Sequence, residues 1–140
     1  RMGLKSDTEM GSLYVLRSLS ADDQVGSIQD LHKIGATTQT VDQRLAGAQK
    51  HPTFLNAGVE VRAEYQVPAT VALVVEKILH DFFASVRLDV WFERDGLNVA
   101  EAREWFDVPL DVVDEAVRLL EAETITSFRY DASERRIVLK

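Results

Sequence analysis

Residues 59–86 carry the feature that most constrains the fold: a hydrophobic period of two that switches, across one proline, to a helical period. Val59 to Val67 (VEVRAEYQV) alternates strictly, with Val59, Val61, Ala63, Tyr65 and Val67 on one face. That pattern predicts a half-buried strand. Pro68 suits the first turn of a following helix. Beyond it Val71, Val74, Val75, Ile78, Leu79, Phe82 and Val86 form an apolar stripe, predicting an amphipathic helix to about Ser85. A strand and a helix that are each apolar on one side only bury those sides against neighbouring elements.

Two more strands are predicted upstream. Ser12 to Ser18 (SLYVLRS) is rich in residues that favour strands, and Leu31 to Ala36 reads as its antiparallel neighbour across the polar loop Leu19–Asp30. Thr40-Val41-Asp42-Gln43 matches a capping box, so a helix is predicted from there, with Val41, Leu45 and Ala48 as its buried stripe. Gly47 weakens that helix by about 1 kcal/mol relative to alanine. His51 to Gly58 reads as a loop. Leu88–Phe92 and Glu104–Asp107 could be short strands. Pro109–Ala122 reads as a helix with Val113, Val117 and Leu120 inward, and Ile125–Tyr130 with Arg136–Leu139 as a hairpin. The order β-β-α-β-α implies an α+β fold: a small antiparallel sheet flanked by helices, with a C-terminal helix and hairpin. The expected organisation is a flexible segment at 1–11, a domain at 12–108, and an extension at 109–140 packed on that domain.

Composition narrows the function. A chain of 140 residues with 46% hydrophobic content can bury a real core as one domain. The longest apolar run is broken by Glu76 and Lys77, so no membrane span is expected. No charged-then-apolar leader precedes Ser12, and the start Arg1-Met2 reads as the edge of a longer parent protein. The absence of cysteine excludes disulfides, zinc–thiolate sites and cysteine nucleophiles, and fits a cytoplasmic protein. The net charge of −7 argues against a general nucleic-acid binder. Its distribution weakens that objection: residues 1–90 carry 9 basic and 11 acidic side chains, residues 91–140 carry 7 and 12. The first two thirds can therefore still present a local basic groove.

Five residues could carry chemistry. Glu76 falls at the edge of the long helix's stripe, where a partly desolvated acid suits a metal ligand or proton acceptor. His80 lies one turn on; the alternative is a plain surface Glu/His pair. Arg44 flanks the first helix's stripe and could grip a phosphate, or be a surface arginine with a packed stem. Tyr14, mid-strand, would ordinarily be core with its hydroxyl at the rim. Lys33 would ordinarily be a solvated edge residue. There is no GxGxxG, P-loop or HExxH, nothing marks a nucleophile elbow, and His32, His51 and His80 lack zinc-ligand spacing.

Taken together, these residues resemble the GIY-YIG endonuclease superfamily. Gly11-Ser12-Leu13-Tyr14 stands in for GIY and Lys33-Ile34-Gly35 for YIG; Arg44 matches the arginine of the first helix and Glu76 the glutamate of the second. YVLRS, LHKIGATTQTVDQRLAGAQKHPTFLNA, VEKILHDFFA and REWFDVPL resemble the phage- and bacteria-associated branch with KIG in place of YIG. The resemblance implies a three-stranded antiparallel sheet flanked by helices and hydrolysis of DNA phosphodiesters with one divalent metal, Mg2+ or Mn2+. It implies Glu76 as metal ligand, Arg44 on the scissile phosphate, and Tyr14 as the group that activates or positions water. Lys33 beside Tyr14 would favour the phenolate or touch the phosphate, and His80 would be a second proton carrier. The chain departs from the pattern in four places: Lys33 replaces the second tyrosine, Ser12 occupies the first glycine's position, the gap from Tyr14 to Lys33 is longer than in the compact members, and the late asparagine has no clear counterpart beyond Asn98.

The leading expectation is thus a metal-dependent DNA endonuclease domain of a larger phage-related or mobile-element protein, with DNA as partner. The alternative is a catalytically inactive domain of the same kind that binds nucleic acid or a protein.

Overall fold

The computed structural model describes residues 9–19, 30–46, 58–88 and 104–140. Residues 1–8, most of the two polar loops, Gly47, Ala48, His51, residues 89–92 and Asn98 lie outside them. The fold is α+β. Its sheet holds β1 (Met10–Ser18), β2 (Leu31–Thr37), β3 (Val59–Pro68) and β4 (Trp105–Asp107) in the order β3-β1-β2-β4, with antiparallel pairing throughout. Among the described residues three α-helices accompany it: α1 (Val41–Leu45), α2 (Ala72–Phe82) and α3 (Leu110–Glu121). A separate two-stranded hairpin, β5 (Phe128–Asp131) and β6 (Arg136–Leu139), follows. None of the described helices is long and apolar enough to cross a membrane.

The three-stranded sheet expected from the resemblance is corrected to four strands. Trp105 and Phe106 are fully buried, and β4 pairs Leu31 with Asp107, His32 with Phe106 and Lys33 with Trp105. A three-residue strand has no stability alone; it exists because the outer edge of β2 needs hydrogen-bond partners. β1 also starts two residues earlier than expected, since Met10 and Gly11 pair with Pro68 and Val67.

The sheet buries both faces. Leu13, Val15 and Ile34 point to one side and pack with Val75 and Leu79 of α2 and Val113 of α3. Tyr14 and Leu16 point to the other, beneath Val41 and Leu45 of α1. Thus β1 has no polar face, and Gly11 to Leu16 are all buried.

The alternation along β3 does not give a single apolar face. The register against β1 slips between Val15 and Leu16: Val15 stands opposite Ala63, but Leu16 stands opposite Val61. The extra residue, Arg62, is a bulge, and a one-residue slip turns every later side chain to the other face. Ala63 and Tyr65 therefore join the α2–α3 core, Val59 packs by Leu16 and Val41, and Val61 is 44% exposed. Pro68 closes β3 instead of opening the helix, and a 3-10 turn, Ala69–Val71, leads into α2.

The stripe of α2 is also rotated from its expected centre. Ala72, Val75, Leu79 and Phe83 are its buried residues, whereas Val74 is 57% and Leu73 66% exposed. At 100° per residue this turns the helix by roughly 70° from a stripe centred on Val71 and Phe82. The rotation brings Glu76 from the edge of the stripe into partial burial against β2.

Candidate active site

The site begins with a glycine. The antiparallel register sets Tyr14 opposite Gly35, and Lys33 opposite Leu16 on the same face of the sheet. The Tyr14 ring lies flat across Gly35: a Cβ there would sit 2.5 Å from both Cζ and Oη of Tyr14. The missing side chain makes room for the phenol. Lys33, two residues back, reaches the same ring. Its Nζ is 3.5 Å from Tyr14 Oη and 5.2 Å from the ring centroid. Lys33 is not the solvated edge residue that its position on β2 suggested; it is 0% exposed. Its ammonium is held by Glu104, with Nζ to Oε1 at 2.5 Å.

The second half of the site forms where β4 stops. Glu104 O accepts the Ile34 N–H at 3.0 Å, and among the described residues β4 pairs with β2 at residues 31–33. Two side chains of α2 continue in its place. His80 Nε2–H donates to Ile34 O at 2.6 Å, and the Glu76 carboxylate accepts the Ala36 N–H. These residues are four apart and share a helix face. Each is bonded to β2, so they are not a simple surface pair. The bond to a carbonyl fixes the proton on His80 Nε2 and leaves Nδ1 as the nitrogen able to exchange one. The His80 ring leans on Phe106, with centroids 5.1 Å apart.

Glu76 has the perturbed acidity of the group. Burial raises its pKa above the usual carboxylate range, and the negative charge of Glu104 raises it further. His80, Lys33 and the Ala36 N–H work the other way. A carboxylate in this position gains from any added positive charge.

Arg44 reaches the neighbourhood by a different route. Thr40 Oγ1 accepts from Gln43 N and Gln43 Oε1 accepts from Thr40 N, both at 3.1 Å, so the capping box is formed. This start angles α1 over the Tyr14 face, where Val41 and Leu45 meet Tyr14 and Leu16. Arg44 stands partly exposed on that helix, three residues after Val41. Gly11 performs the close approach that Ser12 could not: a Cβ at Gly11 would lie 2.8 Å from Thr37 O. Ser12 uses its hydroxyl to donate to Glu64 Oε2 at 3.0 Å.

Tyr14 and Lys33 therefore meet on the α1 face of β2, Glu76 and His80 bond to the β2 backbone from α2 with Glu76 feeling the Lys33 charge, and Arg44 is set on the helix above. Sequence reasoning missed Glu104, the partner of Lys33. Its only signal was an acidic residue directly before the apolar Trp105-Phe106 pair, and nothing local distinguishes that from a strand-end charge. Chemically, the cluster offers a phenol hydroxyl, a cation beside it, a half-buried carboxylate and an imidazole nitrogen. That set can accept, donate and relay protons and attract a cation.

Comparison with known proteins agrees on a family. The chain is similar to the uncharacterized protein YeeC of Bacillus subtilis (strain 168), at 38% identity over 120 residues that make up 83% of this chain and 31% of that protein. It thus spans about a third of the length of the curated relative it matches. No solved structure matches it. The model of the T5orf172 domain, a phage-associated domain of nuclease-like character, matches residues 11–121, a span that includes Tyr14, Lys33, Arg44, Glu76, His80 and Glu104. The chain belongs to the T5orf172 domain family.

Proposed function

We propose that this domain is a metal-dependent endonuclease of the GIY-YIG type that hydrolyses phosphodiester bonds in DNA, and that it works in the cytoplasm as part of a larger phage-related or mobile-element protein. The observation that carries the reading is the meeting of Tyr14 Oη and Lys33 Nζ at 3.5 Å beside Glu76, a carboxylate of raised pKa, at one end of β2. Three chain segments supply these groups, and packing alone does not call for a buried lysine there.

Hydrolysis joins a water oxygen to phosphorus and releases a sugar oxygen. The water must lose a proton and the sugar oxygen must gain one. In this reading Tyr14 orients the water through its hydroxyl, and Lys33 donates a hydrogen bond to Tyr14 Oη. His80 Nδ1 carries a proton between the site and solvent. Arg44 binds two oxygens of the scissile phosphate with its planar fork.

The residues fit one Mg2+ or Mn2+. Such ions take one or two carboxylates and keep water and substrate oxygens for the rest of their shell. Among the described residues there is no group of three or more His, Asp or Glu arranged to enclose a metal; in this reading Glu76 is the single protein ligand. A bound divalent ion would stabilise the charge developing on the leaving oxygen.

The test is nicking of supercoiled plasmid by the purified chain with magnesium or manganese. The expected outcome is metal-dependent nicking that Glu76→Ala abolishes. Cleavage that survives in Glu76→Ala removes Glu76 from the chemistry and with it this reading. DNA binding with no cleavage under either metal supports an inactive binding domain instead.

A further inference from the structure

Glu104 takes no part in the chemistry above, yet it makes the shortest polar contact in the site. Its Oε1 lies 2.5 Å from Lys33 Nζ, and its carbonyl accepts the Ile34 N–H at 3.0 Å. Side chain and backbone are thus bonded to consecutive residues of β2. Trp105, the next residue, pairs with Lys33 and is fully buried, so the strand fixes where the Glu104 carboxylate stands.

A fully buried ammonium needs a compensating charge. Lys33 has that charge on one side and Tyr14 Oη at 3.5 Å on another. The three N–H bonds of an ammonium diverge tetrahedrally, so anchoring one to a carboxylate restricts the directions of the rest. A phenol oxygen that accepts from Lys33 must turn its own O–H away from the lysine. Among the described residues, the charged and titratable groups near the ammonium include Tyr14 from β1, Glu76 and His80 from α2, and Glu104 ahead of β4. Glu76 is a second carboxylate that feels the Lys33 charge. With Glu104 neutral, the attraction of Glu76 for Lys33 would no longer be opposed by a second carboxylate.

We propose that Glu104 is a positioning residue of this site: its carboxylate anchors the Lys33 ammonium so that Tyr14 accepts from Lys33 and directs its own hydroxyl proton outward. The proposal rests on the reading of Tyr14 and Lys33 as catalytic groups. It assigns to a residue at the mouth of β4 the task of orienting a tyrosine on β1.

The test labels the full chain with 15N-lysine and follows the Lys33 ammonium by NMR, identified as the signal missing from Lys33→Met. Glu104→Gln keeps the shape and removes the charge. The expected result is that the Lys33 signal shifts or is lost in Glu104→Gln and is restored toward its place in Glu104→Asp, while in uniformly 15N-labelled samples the amide signals of Leu13 and Val15 stay put. Plasmid nicking by Glu104→Gln should fall about tenfold or more in kcat with KM for DNA nearly unchanged. An unmoved Lys33 signal, or a nicking defect carried wholly by KM, overturns the proposal. If the wild-type chain nicks no DNA, the nuclease reading fails by itself, and the NMR arm still decides whether Glu104 holds Lys33. If Glu104→Gln does not fold, the same readings on Glu104→Asn decide: an unmoved signal with normal kcat refutes the anchoring.

Discussion

Replacing Gly35 by alanine tests the packing that creates the site. The new methyl carbon would lie 2.5 Å from Cζ and Oη of Tyr14 and 2.7 Å from Cε1. Carbon atoms in contact prefer about 3.5–4.0 Å, so the ring must retreat by about 1 Å. Tyr14 is 1% exposed and is closed in by Leu16 and Val41, which leaves no free direction for that movement. Overpacking of this kind costs about 1–3 kcal/mol. Alanine recovers roughly 0.5–1 kcal/mol of it through lower chain entropy in the unfolded state. The net expectation is a loss of about 1–2 kcal/mol in urea unfolding, with the denaturant slope unchanged. Nicking should fall with it, since the phenol can no longer hold its place by Lys33. The control is Tyr14→Leu, which lacks every atom in the clash. In that background Gly35→Ala should stabilise by about 0.5–1 kcal/mol, so the two changes couple by the overpacking cost of about 1–3 kcal/mol. A cost below about 0.5 kcal/mol in the native background, or an equal cost in both, would refute the stacking of Tyr14 on Gly35 as the reason for the glycine.

Other outcomes follow from the same geometry. Because the folded-state pKa of Glu76 is raised, mainly by burial and then by Glu104, its ionised form works against folding. Glu76→Gln should therefore raise the melting temperature at neutral pH, and the gain should fade as pH drops toward the ordinary carboxylate range; a variant less stable at neutral pH than the parent contradicts this. Lys33→Met should be milder than Glu104→Ala, because methionine fills the cavity while the one-third-exposed Glu104 can be hydrated. Glu104→Ala strands a buried ammonium and should cost about 3 kcal/mol in urea unfolding; the reverse order refutes the pairing. Thr40→Ala should cost about 1 kcal/mol and lower nicking, since α1 has only five residues and its capping box angles Arg44 over the sheet. Full nicking in Thr40→Ala would separate Arg44 from the reaction.

The parts of this fold that were legible are those encoded within one segment. The Thr40–Gln43 capping box, the strands at Tyr14 and Lys33, helix α3 and the last hairpin all rest on spacings of two to four residues, which local backbone physics reads directly. The errors arose where a distant segment intervened. The alternation of Val59 to Val67 names two faces but cannot reveal that a bulge at Arg62 exchanges them, because the slip is set by pairing with β1. The stripe of α2 is broad enough to seat the helix at several rotations, and contact with β2 selects the one that buries Glu76. The fourth strand was legible as the short segment Glu104–Asp107, but its place in the sheet was not, because the β2 edge that it pairs with sets that place.

The same division holds for the site. By itself the sequence determined that a tyrosine, a lysine before a glycine, a helical arginine and a helical glutamate occur in family order on the elements that carry them. The tertiary structure alone decided that Lys33 is buried, that its charge is met by Glu104, and that Glu76 and His80 cap β2 where β4 ends. The reason is physical. Local spacing fixes which way a side chain leaves its own backbone. Burial, charge pairing and desolvation depend on what other segments bring to it, and residues 14, 33, 76 and 104 meet only when the sheet closes.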